Sequence, residues 1–230
     1  MLTSYIKHLV VSVCSSPKNS QIKSIHRNKK STNMKTKNWQ LFIILGLLGL
    51  TSGVYGQNYI MFRSILDDCG MNFTMPDGVK ECKIIENDDM EYDYALKYPD
   101  KDFEVRYSIR PIRYKNYANE AMKNEIESQI PFRNSSYGII LQTVVLNISG
   151  GIEYDVQAFD KDAVKMEFNA DWGATTFVKL NSEFGKGYKY CMIVTIHKND
   201  FADAYYFYLS NSMEKFMEYA DPFFHTLRFD

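Results

Sequence analysis

The stretch at residues 92–112 reads YDYALKYPDKDFEVRYSIRPI, and apolar side chains alternate with polar ones on both sides of a short turn. A period of two is typical of half-buried β-strands, and Pro99-Asp100-Lys101-Asp102 has the composition of a four-residue connection. The expected register pairs Tyr98 with Phe103, Leu96 with Val105, Tyr94 with Tyr107, Lys97 with Glu104, and Glu91 with Arg110. Because apolar pairs and opposite charges both align, the sequence predicts an antiparallel hairpin.

Helical patterns follow this hairpin. Asn116 can cap a helix that runs to about Ile130, with Pro131 as its stop signal. The apolar stripe of this helix comprises Ala118, Met122, Ile126 and Ile130. A second segment, residues 137–148, ends at two glycines. It is predicted as a helix, although its β-branched residues also suit a buried strand. A third helix is expected from Asp160, as its cap, to Phe168.

Strand patterns then return at residues 175–180, 188–197 and 204–210. Gly185-Lys186-Gly187 invites comparison with a phosphate-binding loop. Since a strand follows it rather than a helix, we favour a tight hairpin. Near the C-terminus, Asn211 and Glu214 have the spacing of a capping box before an apolar helical face, and residues 227–229 read as a short strand. This element order predicts an α+β fold, with an antiparallel β-sheet flanked by helices.

Two short motifs carry a resemblance to a known family. Residues 73–79, FTMPDGV, resemble the opening of the PsbP-like α/β/α sandwich superfamily, and residues 184–188, FGKGY, are similar to its later hairpin. The resemblance covers most of residues 70–230. That superfamily includes extrinsic photosystem subunits, a Ran-binding protein and exported bacterial proteins. The resemblance implies binding and assembly roles more than catalysis, and it supplies no active-site residue.

The N-terminal part of the chain has the pattern of a targeting signal. Two lysines at positions 35 and 37 precede the apolar run LFIILGLLGL at residues 41–50, and Gly56 offers a small residue for cleavage. This order predicts a signal peptide at residues 34–56. A membrane anchor is the less favoured alternative, because a membrane span needs about 20 apolar residues and this run has ten. Residues 1–33 are interpreted as an extension from a misassigned start, with a transit peptide as the alternative. We therefore expect residues 57–230 to form a single exported domain, periplasmic or secreted, without a stable membrane anchor after cleavage.

The charge of that domain limits its partners. Eight of the 27 basic residues and none of the 28 acidic ones fall within residues 1–56, which leaves residues 57–230 with a net charge of −9. An acidic domain repels nucleic-acid phosphates and anionic lipids. Nucleic acid is therefore not expected as a partner, whereas an unidentified protein partner is.

Cysteines and histidines are few in the expected domain. Cys69 and Cys82 flank the turn Pro76-Asp77-Gly78, which suggests a disulfide across a hairpin, but we favour free buried thiols. Cys191 is the third cysteine, and no CxxC, HExxH or HxH spacing occurs. We expect no metal and no cofactor.

Two groups of residues are candidates for ligand binding. Arg106 and Arg110 share one face of their predicted strand, and two guanidinium groups could hold an anionic ligand. The alternative is a solvated face paired with neighbouring acidic residues. Asp171 and Trp172 form a carboxylate–aromatic pair of the kind that binds a sugar or a cation, although we favour a structural role at the entry to a strand.

His197 is the only candidate base in the strand region, and no GxSxG nucleophile motif accompanies it. The sequence therefore favours an exported, non-catalytic binding or assembly module that acts through a protein partner. A small-ligand carrier, binding an anionic or sugar-like compound near Asp171, Trp172, Arg106 and Arg110, is the alternative. A hydrolase with His197 as base comes last.

Overall fold

The computed structural model describes residues 52–230. The extension at 1–33 and nearly all of the predicted signal peptide lie outside these residues. The helices are α1 (Ser52–Asp68), α2 (Glu120–Ser149), α3 (Lys161–Phe168), α4 (Ser182–Gly185) and α5 (Phe216–Ala220), followed by a 3-10 turn at Asp221–Phe223. The strands are β1 (Met71–Phe73), β2 (Lys80–Glu81), β3 (Tyr94–Lys97), β4 (Phe103–Pro111), β5 (Gln157–Ala158), β6 (Trp172–Lys179), β7 (Tyr190–Lys198), β8 (Ala202–Ser210) and β9 (Leu227–Phe229).

Seven of these strands form one antiparallel sheet in the order β2-β3-β4-β8-β7-β6-β5, while β1 and β9 form a separate antiparallel pair. The α+β class predicted from the sequence is confirmed. Along the long strands of the sheet, alternate side chains face two different cores. In β7, Met192, Val194 and Ile196 face the core that α1, α3 and α5 cover. Cys191 and Ile193 face the core beneath α2 and α4, so helices bury both faces of the sheet.

The predicted hairpin is confirmed as β3 and β4. Tyr94 pairs with Tyr107, Leu96 with Val105, and Lys97 with Glu104, as the alternation requires. Arg110 reaches Glu91 through the carbonyl oxygen of that residue, at 2.6 Å, instead of its carboxylate. The register is therefore determined by the apolar face, on which aromatic and branched side chains meet.

The helix prediction for residues 116–148 needs correction. One helix, α2, runs through Pro131 to Ser149, and it begins after Asn119, whose side-chain oxygen accepts the amide of Met122. Residues after the proline pack against the sheet, and this burial outweighs the hydrogen bond that Pro131 cannot donate. The predicted stripe of the first half is wrong, because Met122 remains exposed and only Ile130 of its four members is buried. The glycine end is confirmed, with Gly150 in a left-handed conformation.

The later elements agree with the pattern except at one turn and one cap. α3 begins after Asp160, which accepts two backbone amides. Residues 180–189 link β6 to β7, which pair as an antiparallel hairpin, and contain the short helix α4. The connection is therefore neither a phosphate loop nor the tight turn predicted at residues 185–187. The predicted capping box is wrong: Asn211 donates to Asp102, and α5 begins only at Phe216 without a side-chain cap.

The suggested disulfide is also corrected. Cys69, Cys82 and Cys191 are all free, buried thiols. The turn at residues 76–78 does not join paired strands, since β1 pairs with β9 and β2 with β3. Cys69 lies in the core beneath α1, and Cys82 lies in the core beneath α2. The sheet therefore separates the two sulfur atoms.

Helix α1 is attached to the sheet by aromatic side chains. The ring of Phe62 stacks on Tyr94 at 4.7 Å and meets the edge of Phe73 at 5.3 Å. Tyr59 and Leu66 pack in the same core. These anchors all follow Gly56, the predicted cleavage site. Within residues 52–230, no helix combines the length and the apolar character that a bilayer span requires.

We expect Phe62→Ala to lower the free energy of unfolding by about 3 to 5 kcal/mol, because it leaves a cavity among three rings. Ile60→Ala is the matched control on the same helix, since Ile60 is 69% exposed. Its effect should stay within about 0.5 kcal/mol. Urea denaturation measures both; equal effects would show that α1 does not pack as described.

Burial raises the pKa of the Cys69 and Cys82 thiols from 9.0 to about 12. In a full chain carrying Cys14→Ser, an aromatic disulfide reagent at pH 8 should label no thiol of the folded protein and three after unfolding. One labelled thiol after unfolding would instead indicate a disulfide.

Between pH 9 and about 12 the unfolded chain releases thiol protons that the folded chain keeps, so the unfolding free energy should fall as pH rises.

Candidate functional site

Four residues on neighbouring strands form a row across the sheet beneath α2. The strand registers place Arg110 of β4 beside Asp203 of β8, Asp203 beside His197 of β7, and His197 beside Trp172 of β6. Side chains in such cross-strand positions lie about 5 Å apart. We call Arg110, Asp203, His197 and Trp172 the transverse row.

Asp203 is the centre of the polar contacts in this row. Its Oδ1 lies 2.7 Å from Nδ1 of His197, and its Oδ2 accepts a hydrogen bond of 2.7 Å from Arg133 of α2. Arg133 also donates to the carbonyl oxygen of Arg110 at 3.2 Å. A buried carboxylate is stable only when its charge is paired, so Asp203 joins α2 to two strands at once.

His197, the candidate base, is a buried member of the transverse row. It is 1% exposed, and its second ring nitrogen lies 3.1 Å from the side-chain oxygen of Asn199. Both ring nitrogens therefore have partners inside the protein. A general base needs a ring nitrogen that can reach a substrate proton, and in this structure both nitrogens contact other side chains of the protein.

The two arginines predicted to share an open face are in different surroundings. Arg106 is buried rather than solvated: its Nε lies 2.6 Å from Glu104, it donates to the carbonyl of Phe184, and it lies over the rings of Tyr92 and Phe184. Arg110 is half-buried and pairs with Asp93 at 3.3 Å. Burial raises the pKa of Asp93, although an amide hydrogen bond from Ile109 and the charge of Arg110 oppose this rise. The expected pairing with acidic neighbours is confirmed, but the expected solvation of Arg106 is wrong.

Asp171 lies outside the transverse row. It is exposed, its carboxylate accepts the amide of Asn199 at 2.9 Å, and Lys165 lies 3.9 Å away. The next residue, Trp172, is half-buried at the end of the row. The structure thus brings Arg110, His197 and Trp172 together and leaves Arg106 and Asp171 apart from them.

Tyr137 of α2 covers the end of the row. Its ring lies 4.6 Å from that of Trp172 and 4.4 Å from that of His197, measured between centroids. Tyr137 follows Arg133 by one helical turn, so both side chains leave the same face of α2. The three rings form a continuous stack that leads from the buried histidine to the protein surface.

A groove opens beside this stack. It is a shallow groove, largely open to solvent, with a volume of about 460 Å³. Its lining comprises Ser135, Tyr137, Gly138, Ile139, Gln142, Val156, Ala158 and Trp172. None of these side chains is charged. The groove is therefore suited to neutral polar or apolar groups.

Three residues of this site were not predicted from the sequence. Asp203 lay one position before the predicted strand at 204–210, yet it shares the parity of Tyr205 and Phe207 in that strand. A charged residue in phase with aromatic ones is the signal that could have identified it. Arg133 and Tyr137 had no such signal, because their role depends on a helix that continues through Pro131.

Comparisons with known proteins identify no relative: no protein-family model, no curated protein and no solved structure matches the chain. The PsbP-like resemblance therefore stays a prediction. Among the residues that the structure describes, no three histidine, cysteine, aspartate or glutamate side chains are grouped as metal ligands would be.

We expect Asp203→Ala to lower the unfolding free energy by about 3 kcal/mol, because it leaves the buried His197 and the half-buried Arg133 without their shared partner. Asp171→Ala removes an exposed carboxylate and is the control. Its effect should be below about 1 kcal/mol. Chemical denaturation of both variants tests this, and a double-mutant cycle with Arg133→Met should show coupling. Additive effects would contradict a shared network.

Proposed function

We propose that residues 57–230 form an exported, non-catalytic binding or assembly module that acts through a protein partner. Export rests on the signal-peptide pattern at residues 34–56. The proposed binding surface is the outer face of α2 together with the groove beside Trp172. A PsbP-like relationship, as the motifs at residues 73–79 and 184–188 suggest, belongs to the same proposal.

The observation that carries this proposal is a pair of exposed apolar side chains on the solvent side of α2. Phe132 is 63% exposed and Ile139 is 71% exposed. Residues seven apart lie on the same face of a helix, about two turns from each other. Ile139 also lines the groove. Large apolar side chains beside an uncharged groove are typical of a surface that another molecule covers.

The chemistry beneath this surface supports binding more than turnover. The side chains that could act as acids or bases, Asp203 and His197, bond to each other and to Arg133 or Asn199. They support Tyr137 and Trp172 from below, and these two rings face the groove. A rigid aromatic wall held by a buried polar network favours recognition.

A second candidate is a small-ligand carrier that uses the same groove. The volume of about 460 Å³ and the side chains of Trp172, Gln142 and Ser135 favour it. An aromatic face with neighbouring amide and hydroxyl groups suits a neutral, sugar-like compound. An anionic ligand fits less well, because Arg106 and Arg110 are paired with Glu104 and Asp93.

We expect Ile139→Glu to reduce recovery of a specific protein partner from the exported fraction at least about tenfold, since a charge would face an apolar contact. Met166→Glu is the matched control, because Met166 is 64% exposed on α3, away from the groove. Quantitative mass spectrometry of material co-purified with the wild type and both variants measures the effect. Equal recovery with all three proteins would refute a partner at this face.

Native mass spectrometry of the same preparations separates the two candidates. A small molecule that accompanies the wild type and is lost in Ile139→Glu would favour the carrier. A chain mass without additions, together with variant-dependent recovery of a protein, would favour the binding module.

A further inference from the structure

The groove lies between a helix and the edge of the sheet. One wall is α2, which contributes Ser135, Ile139 and Gln142 among others. The opposite wall contains Val156 and Ala158, at the edge strand β5. β5 is the last strand in the sheet order, and its only partner among the described strands is β6. An edge strand next to a helix is a geometry that accepts an added strand.

The backbone of this edge points its unpaired groups away from β6. The amide of Phe159 donates to the carbonyl of Gly173 at 2.9 Å, so these two residues form a hydrogen-bonded pair of the antiparallel ladder. Hydrogen-bonded and non-bonded pairs alternate along such a ladder. Ala158, which pairs with Ala174, is therefore in a non-bonded position. Its N–H and C=O point outward from the sheet edge.

The charged residues around β5 indicate which kind of peptide segment would fit the groove. Glu153 and Asp155 precede β5, Asp160 and Asp162 follow it, and all four are exposed. Lys161 is the only cation in residues 153–162, so this segment has a net charge of −3. The groove lining itself is uncharged. A complementary occupant has neutral side chains in its centre and basic residues at its ends.

We propose that the groove binds an extended segment of the partner protein, which pairs with β5 as an added antiparallel or parallel strand. Alternate side chains of the segment, small and uncharged, pack against Trp172 and Tyr137, and flanking lysines or arginines face the carboxylates at residues 153–162. This inference rests on the proposed function and specifies the chemistry of its partner. Because β5 has only two residues, backbone pairing supplies few hydrogen bonds, and the aromatic wall must contribute the remaining contacts.

Trp172 provides a direct measurement. The chain contains two tryptophans, Trp39 and Trp172, so the full chain carrying Trp39→Phe has its only indole in the groove. The probe is a synthetic peptide in which Val and Thr alternate between two Lys residues at each end. We expect saturable changes in Trp172 fluorescence and a dissociation constant that rises with salt concentration.

Two modified peptides test the strand pairing. N-methylation of alternate central amides removes backbone donors without changing the side chains, and it should weaken binding at least about tenfold. Replacement of the terminal Lys residues by Glu should abolish binding. Equal binding of the N-methylated peptide would overturn strand addition, and so would the absence of any Trp172 response to the unmodified peptide up to millimolar concentration.

Variants of the protein locate the contact. Glu153→Gln with Asp155→Asn should weaken binding of the peptide several-fold. The matched control, Glu214→Gln with Glu218→Gln, removes two exposed carboxylates near α5 and should have no effect. Ala158→Pro removes only the outward N–H and should also weaken binding. Unchanged binding in the first pair of substitutions would place the peptide elsewhere and refute the inference.

The outcome is independent of the test of the proposed function. If Ile139→Glu abolishes recovery of the partner but the peptide experiments fail, the binding module stands and strand addition is wrong. If Ile139→Glu changes nothing and peptide binding is also absent, both proposals fall.

Discussion

Burial of both faces of the seven-stranded sheet is the constraint on which the other features depend. A charged side chain buried on the face beneath α2 needs a partner inside the protein, because little water reaches it. Asp203 meets this requirement by contacting His197 on the neighbouring strand and Arg133 on the helix. The same contacts fix the position of α2 over the sheet. The need to pair the buried charge of Asp203 therefore also determines where the surface residues of α2 lie.

The groove follows from this position. Once Arg133 is bound to Asp203, Tyr137 lies one turn further along α2 and stacks on His197 and Trp172. The sheet ends at β5, so the space between helix and edge remains open. The titratable side chains of Asp203 and His197 lie beneath the groove, whereas neutral and aromatic side chains line its opening. This division of roles is the basis on which we propose recognition of another molecule at the surface.

Much of the sheet was predictable, because the period-two pattern depends only on local sequence. The hairpin register was obtained from Leu96, Val105 and their neighbours, and the later strands were placed within two or three residues. The site was predictable only in part. Trp172, His197 and Arg110 were named, but Asp203 was missed by one residue at a strand boundary. Arg106 was expected in solvent because its strand alternates, and a strand pattern cannot show that a helix distant in sequence covers the polar face.

By itself, the sequence determined the strand pattern, the caps at Asp160 and Gly150, the negative charge of residues 57–230 and the apolar run at residues 41–50. These properties depend on neighbouring residues or on composition, so they need no tertiary information. Only the tertiary structure decided that α2 continues through Pro131, that Cys69 and Cys82 lie on opposite sides of the sheet, and that Arg133 pairs with Asp203. The physical reason is that each of these outcomes depends on contacts between residues far apart in sequence, whose burial energy exceeds the local preference.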